Sequence, residues 1–487
     1  MKHIKYILAA LAAVLAVFTG GKVLADSYTV TLNGTTTGHT YEAYQIFAGD
    51  LSGSTLSNIK WGSGVSAVGQ TALGDASIKA ESLDGKAKDA AEAQKFAQDV
   101  APYLQNPAAT VTSTAETTTF SGLAAGYYLI KDKSGSQDGK ASSYTRFILE
   151  VVKDTQANLK ADVPTIEKKV QDTNGYHDAV DYAIGASVPF QLTATLPSNY
   201  DSYKEYHLSF NDTLSAGLTY NKDAKVYVIN GNNEQEVTSK FTIDSNGASY
   251  TINDLKTVTT DDKGQAVTIT KDSKIVVRYT AKLNDQAVIG STGNSNTASL
   301  IYSNDPNSTG GGSKGETPKD KVAVFTYQVV INKVDQDKQT PLKGAGFTLY
   351  KKDATGKYTK VTEIAAGETT TFTFKGLSAG DYKLSETQTP AGYNTIADVE
   401  FKISAEMDRT SDNPTLKSLT ATATSTNKLT FTSNITDGSL TANVVNKKGS
   451  ILPSTGSIGT TILYAVGTIL VLGSGALLIV RKRMNTK

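Results

Sequence analysis

Two lysines fall where a strand turns its apolar side inward. Alternate residues of a β-strand share a face, so in Val329-Val330-Ile331-Asn332-Lys333 the side chains of Val329, Ile331 and Lys333 point the same way. In Ile166-Glu167-Lys168-Lys169-Val170 the same parity puts Lys168, rather than Lys169, with Ile166 and Val170. Burial disfavours the charged ammonium and lowers its pKa, which leaves a neutral amine able to act as a nucleophile. A carboxyl buried beside it has its pKa raised, stays protonated and can hydrogen-bond a carbonyl under attack. Turnover chemistry finds no such support. Past residue 25 the histidines are His39, His177 and His207, and there is no cysteine. No Ser/His/Asp constellation, zinc-ligand spacing or phosphate loop occurs, so the chain does not read as an enzyme. Asp335-Gln336-Asp337 lacks the rest of a calcium loop and reads as a solvated turn, so no metal and no other cofactor is implied.

The elements that must position these lysines are strands. Thr, Val, Tyr and Ser are plentiful, and Gly-Asn-Asp turns separate short alternating runs such as Phe147-Ile148-Leu149-Glu150-Val151-Val152 and Lys274-Ile275-Val276-Val277-Arg278-Tyr279. That pattern predicts an all-β protein of tandem immunoglobulin-like sandwiches. One stretch, 87–104, is amphipathic at helical spacing and ends near Pro102, so a small helical element is expected in the first domain.

The two ends are of another kind. Met1-Lys2-His3-Ile4-Lys5, an apolar run to Phe18 and Val23-Leu24-Ala25 are the basic, apolar and cleavage-site parts of a secretory signal peptide over 1–25. Near the other end Leu452-Pro453-Ser454-Thr455-Gly456 precedes an almost charge-free stretch and the cluster Arg481-Lys482-Arg483. A transmembrane helix is expected over 458–480, with the basic cluster on its cytoplasmic side. The chain carries a net charge of +1, with 47 acidic residues. Without the seven basic residues at the two ends, 41 oppose those 47, about −6, which argues against a nucleic-acid partner. An exported chain is free to use disulfides; this one has no cysteine, so any covalent reinforcement needs other chemistry.

The order of LPSTG motif, apolar helix and basic tail resembles the sorting signal of Gram-positive wall-anchored proteins. The resemblance implies that a sortase cleaves between Thr455 and Gly456 and passes the threonine acyl group to an amine. Tyr382-Lys383-Leu384-Ser385-Glu386-Thr387-Gln388-Thr389-Pro390-Ala391-Gly392-Tyr393 resembles the YxLxETxAPxGY box of pilins, in an immunoglobulin-like module related to the B domain of collagen adhesins. Val329 to Asp335 resembles that module's first strand, and Val444-Val445-Asn446-Lys447-Lys448 its last. The second domain is similar to that of pilus backbone subunits at Pro164 to Val170, Asn211 to Leu218 and Asn296 to Tyr302. These families form Lys–Asn isopeptide bonds with loss of ammonia. The resemblance therefore implies Lys333, Asn446 and Glu386 in the third domain, and Lys168 and Asp212 in the second. There the partner is Asn296 or Asn304, which share a face. Parallel first and last strands would bring the start of the last strand to Lys168 and favour Asn296. The first domain shows no comparable trio.

A backbone pilin also needs an internal lysine as acceptor. Lys160, in Asn158-Leu159-Lys160-Ala161, fits the position between the first two domains, although the tyrosine, proline and asparagine of the family's YPKN-like motif are missing; Lys153 is the alternative. The expected organisation is a signal peptide over 1–25, domains over 26–160, 161–308 and 321–449, a linker over 309–320 and a sorting signal over 450–487. The implied function is a structural shaft subunit supporting adhesion; the alternative is a monomeric wall-anchored adhesin or a minor pilin at the tip or base. The implied partners are a class C-type pilus sortase, a housekeeping sortase, other copies of the chain, minor pilins, peptidoglycan and host surface ligands.

Overall fold

The computed structural model describes residues 27–449 apart from 89, 138–141, 160–162, 307–311 and 425–428, together with the helix Gly459–Met484. The signal peptide over 1–25, the sorting motif Leu452, Pro453, Ser454, Thr455 and Gly456, and Lys160 lie outside the described residues.

The chain is mostly β-strand, built into successive two-sheet sandwiches, with short helices near the beginning. In the first, the order Thr117–Leu123, Tyr28–Asn33, Thr155–Asn158 makes a three-stranded sheet. Opposite lies a sheet of Thr55–Trp61, Thr40–Ser52, Gly126–Asp132 and Arg146–Val151, with Ala109–Thr112 also on Thr40–Ser52. Val30 and Leu32 from one sheet meet Tyr41, Ala43, Tyr128 and Ile130 from the other. The expected helix is Ala91–Val100, closed by a turn at Ala101–Tyr103 that holds Pro102. Ala93, Phe96, Ala97 and Val100 recur at helical spacing and are buried against Phe47 and Val65. Two further helices, Ala67–Leu73 and Ala76–Glu81, precede it, their first turns capped by Ser66 and Asp75.

The second sandwich faces two seven-stranded sheets. One holds Ile166–Asp172, Ser187–Ala194 and Lys274–Leu283 as neighbours; the other holds Asp320–Phe325, Asn294–Ser303 and Leu208–Leu214. Strict alternation in Ser187–Ala194 sends Val188, Phe190, Leu192 and Ala194 inward, against Phe210, Leu300 and Val322. Two features differ from the sequence reading. The strand carrying Lys168 and the strand carrying Asn296 are not ladder neighbours; they face each other across the sandwich. Residues 314–316 and 320–325, read as linker and as the lead into the third domain, pair with Asn294–Ser303 and complete the second sandwich. Val322 and Val324 enter the second core while Ala323 and Phe325, on the other face, enter the third. A strand shared between two cores has no apolar-polar alternation to reveal it.

In the third sandwich Tyr327–Val334 lies between Thr371–Leu377 and Ser439–Val445, and runs parallel to the latter. The opposing sheet has the order Tyr358–Ile364, Gly346–Lys352, Gly380–Gln388, Val399–Met407, Leu416–Ala423. Gly376 meets the second sandwich. Its φ is +74° and a Cβ there would stand 2.8 Å from the Ile184 side chain, so the approach of the two modules requires glycine.

Beyond the third sandwich, no helix of the described residues is long and apolar enough to cross a membrane, which corrects the expectation of a transmembrane helix over 458–480. Within the helix Gly459–Met484, Gly467, Thr468, Gly473, Ser474 and Gly475 interrupt the apolar residues.

Leu300 is fully buried in the second core. In a Lys168→Ala background, where no crosslink at that site masks unfolding, Leu300→Ala should cost about 2–5 kcal/mol, read by denaturant titration.

Candidate crosslinking sites

In the third sandwich the parallel register sets Lys333 opposite Val444 and Val334 opposite Val445, so Asn446 emerges one residue past the end of the ladder. Lys333, Asn446 and the Glu386 side chain are all enclosed. Glu386 comes from Gly380–Gln388 in the opposite sheet and reaches across the core. Asn446 Nδ2 donates to Glu386 Oε1 at 2.9 Å and Oε2 at 3.2 Å. Lys333 Nζ is 4.0 Å from Glu386 Oε1 and donates to the Val444 carbonyl at 3.2 Å. The backbone N–H of Ile396 also donates to Glu386 Oε2, at 2.9 Å. Among the described residues Asn446 Oδ1 is buried without a partner. The carboxyl thus accepts from the amide nitrogen here, where the sequence reading has it donating to the carbonyl. Burial pulls the Lys333 amine down to about 8, against the opposing pull of Glu386.

In the second sandwich Lys168 Nζ is fully enclosed, 5.5 Å from the ring centres of both Phe190 and Tyr279. It donates to Asp212 Oδ1 at 2.8 Å and to the Tyr279 hydroxyl at 3.2 Å. The Tyr279 hydroxyl donates to Asp212 Oδ2 in a short contact and accepts from Asn296 Nδ2 at 2.6 Å. Asn296 Oδ1, like its counterpart in the third sandwich, is buried and unpartnered among the described residues. Burial lowers the Lys168 pKa and Asp212 opposes it. Lys169 turns the other way and pairs with Asp178 at 2.5 Å.

The fold therefore brings Lys168, Asp212 and Asn296 together. Asn304 it does not. That residue lies eight positions further on, about 26 Å along an extended strand, and donates to the Gln137 carbonyl of the first sandwich at 3.0 Å. Tyr279 is missed by the sequence reading. Alternation along Lys274–Leu283 places it on the buried face with Ile275, Val277, Ala281 and Leu283, but a tyrosine on such a face is ordinary core and nothing local marks its hydroxyl.

Near the acceptor position, Leu159 N donates to the Asn33 carbonyl at 2.7 Å. Asn158 and Leu159 line a cavity of about 380 Å³ between the first two sandwiches, with Arg146, Asn199 and Pro306 among its other walls. Lys153, the alternative, is exposed just past Arg146–Val151. Among the described residues no group of three or more His, Cys, Asp or Glu side chains could hold a metal.

Three family descriptions match in chain order. Residues 184–306 match the Gram-positive pilin backbone subunit 2, Cna-B-like domain; 327–441 match the prealbumin-like fold domain; and 444–486 match the LPXTG cell wall anchor motif. The trypsin-resistant surface T6 protein of Streptococcus pyogenes is 25% identical over 404 residues, covering 66% of this chain and 70% of that protein. The solved T6 backbone pilin of serotype M6 S. pyogenes superposes with a TM-score of 0.54 at 20% identity, over 87% of this chain and 99% of that one. The full-length major pilin SpaD of Corynebacterium diphtheriae gives 0.49 at 19% identity, over 87% and 98%.

Tandem sandwiches ending in a wall-anchor motif define a surface-stalk protein, secreted and attached to the cell wall. The chain is a Gram-positive, sortase-assembled pilin backbone subunit with Ig-like, Cna-B-type domains. It serves as pilus shaft material, joined covalently to other pilins and to the wall.

The uncrosslinked third sandwich should carry a pH signature. In an Asn446→Ala chain the Lys333 amine stays free. Its folded pKa of about 8 lies below the unfolded 10.5, so between these values the unfolded state binds more protons and stability rises with pH. The contribution is complete above pH 10.5 and is lost as pH falls through about 8. Denaturant midpoints from pH 7 to 11 should climb in Asn446→Ala and stay flat in Asn446→Ala/Lys333→Met.

Proposed function

We propose that the shaft is assembled by transfer of the Thr455 acyl group to Lys160 of the next subunit, and that each subunit is reinforced by two self-formed isopeptide bonds. One joins Lys168 to Asn296 with Asp212 as the acid; the other joins Lys333 to Asn446 with Glu386 as the acid. The observation that carries this is that each lysine is completely buried beside one carboxyl and one buried asparagine with an unpartnered carbonyl oxygen. Leaving a lone ammonium and an unsatisfied carbonyl in a core is costly. Joining the amine to the asparagine side chain with release of ammonia replaces the buried charge by a neutral amide.

In this reading tension enters at Lys160 and leaves at Thr455. It crosses from Lys168 to Asn296 and from Lys333 to Asn446, so most of both sandwiches lies off the loaded chain. Resistance to unfolding becomes covalent there, rather than the roughly 5–15 kcal/mol of an ordinary domain. The residue-level partners are a class C-type pilus sortase for polymerisation, a housekeeping sortase for transfer to peptidoglycan, and minor pilins. The domain boundaries follow the sandwiches, with 320–325 assigned to the second. Adhesion to host surface ligands is the proposed role of the finished fibre.

A denaturing-gel immunoblot of material released enzymatically from the wall tests the joint. Wild type should give a high-mass ladder that collapses to monomer in Lys160→Ala. A ladder that persists moves the acceptor elsewhere, with Lys153 next. A single wild-type band, with the sortase expressed, would leave a monomeric wall-anchored adhesin.

A further inference from the structure

The two sites solve one problem with different parts. In the third sandwich Glu386 itself touches both reacting groups, with Oε1 2.9 Å from Asn446 Nδ2 and 4.0 Å from Lys333 Nζ. In the second the acid is an aspartate, one methylene shorter. Asp212 holds Lys168 Nζ at 2.8 Å, yet among the described contacts it reaches Asn296 only through the Tyr279 hydroxyl. That hydroxyl lies within hydrogen-bond distance of the amine, the acid and the amide nitrogen that must leave. Its ring is stacked on Phe190 at 5.5 Å and on Tyr250 at 5.8 Å, which fixes where the hydroxyl sits.

We propose that Tyr279 is a catalytic residue of the Lys168–Asn296 crosslink, relaying a proton from Asp212 to the departing amide nitrogen. This rests on the crosslink assignment above. The ammonium of Lys168 first passes one proton through the Tyr279 hydroxyl to Asp212 Oδ2, which leaves a neutral amine and a carboxyl protonated on Oδ2. The amine then attacks Asn296 Cγ, and a bond from Nζ to Cγ forms. Nζ gives up a second proton to Asp212 Oδ1 as Oδ2 hands its own to the Tyr279 oxygen. Tyr279 in turn gives its hydroxyl proton to Nδ2, the Cγ–Nδ2 bond breaks, and ammonia departs. Tyr279 ends as it began, and the one proton left on Asp212 passes to the departing ammonia, so that ammonium leaves and the carboxylate is restored. The amide nitrogen is a poor leaving group until protonated, so a donor 2.6 Å from it acts at the step where one is needed. Burial pushes the Tyr279 hydroxyl well above its ordinary value, with Asp212 adding to the effect, so it holds its proton until the amide nitrogen becomes basic. The pair Asp212 and Tyr279 thus does what Glu386 does alone.

The test uses the full mature chain, sampled at intervals after induction. Intact mass shows the loss of one ammonia per bond, and protease-resistant linked peptides show which bond has formed. Tyr279→Phe keeps the ring and its stacking. It should slow the Lys168–Asn296 bond on the order of a hundredfold or more, while the Lys333–Asn446 bond in the same molecule forms at the wild-type rate and reports that the chain has folded. Asp212→Glu/Tyr279→Phe restores a carboxyl long enough to span the gap and should recover most of the rate. Wild-type speed in Tyr279→Phe would overturn the relay. So would equal slowness in the single and double variants, which would assign the hydroxyl a packing role. Absence of the Lys168–Asn296 peptide from wild type would instead remove the crosslink assignment itself.

Discussion

A lysine amine sealed inside a β-sandwich is the constraint around which the second and third modules are arranged. An ammonium without water needs a counter-charge and a complete set of acceptors, and the cost of failing to supply them exceeds what one well-packed side chain contributes. Lys168 has Asp212, Tyr279 and two aromatic faces; Lys333 has Glu386 and the Val444 carbonyl. In both cases the acid comes from the sheet opposite the lysine, so the two sheets must sit at one spacing and one register for the amine to be tolerated at all.

The two modules meet that demand through different topologies. In the third, first and last strands are parallel neighbours, and Lys333 and Asn446 approach side by side. In the second, the lysine and asparagine strands belong to opposing sheets and the approach is through the core. The aspartate, the tyrosine and the asparagine then form a chain across the gap instead of a single fork. The shared strand Asp320–Phe325 fastens the two modules by giving alternate side chains to each core. Arg409, which pairs with Asp172 at 2.7 Å, adds a charged tie across the same junction.

The first sandwich has its own buried polar device, of another kind. His39 Nδ1 lies 2.9 Å from Asp132 Oδ1, and Thr145 N and Gln137 Nε2 also bond that carboxyl. The loop so held presents Tyr144 and Gln137 to Asn304 of the second sandwich. In the proposed shaft this module hangs off the loaded path, since force enters after it. A non-covalent core suffices there.

Much of this was legible locally. Strand alternation alone placed Lys168 rather than Lys169 on the inner face, because a period of two depends only on the chain itself. The amphipathic stretch 87–104 marked the longest of the early helices for the same reason, although its ends shrank to Ala91–Val100 where Pro102 forces a tighter turn. The two preceding helices were not foreseen, since six or seven residues hold too few turns to show a period. The chain's order of lysine, acid and asparagine boxes and its LPSTG motif were likewise visible without coordinates. What only the tertiary structure decided was which groups meet. Asn296 and Asn304 share a strand face, and choosing between them requires knowing which end of that strand faces Lys168 across the sandwich. Tyr279 is one inward aromatic among many until three strands bring its hydroxyl between an amine, an acid and an amide. Local pattern records which way a side chain points; what it points at is set by pairing between residues far apart in sequence.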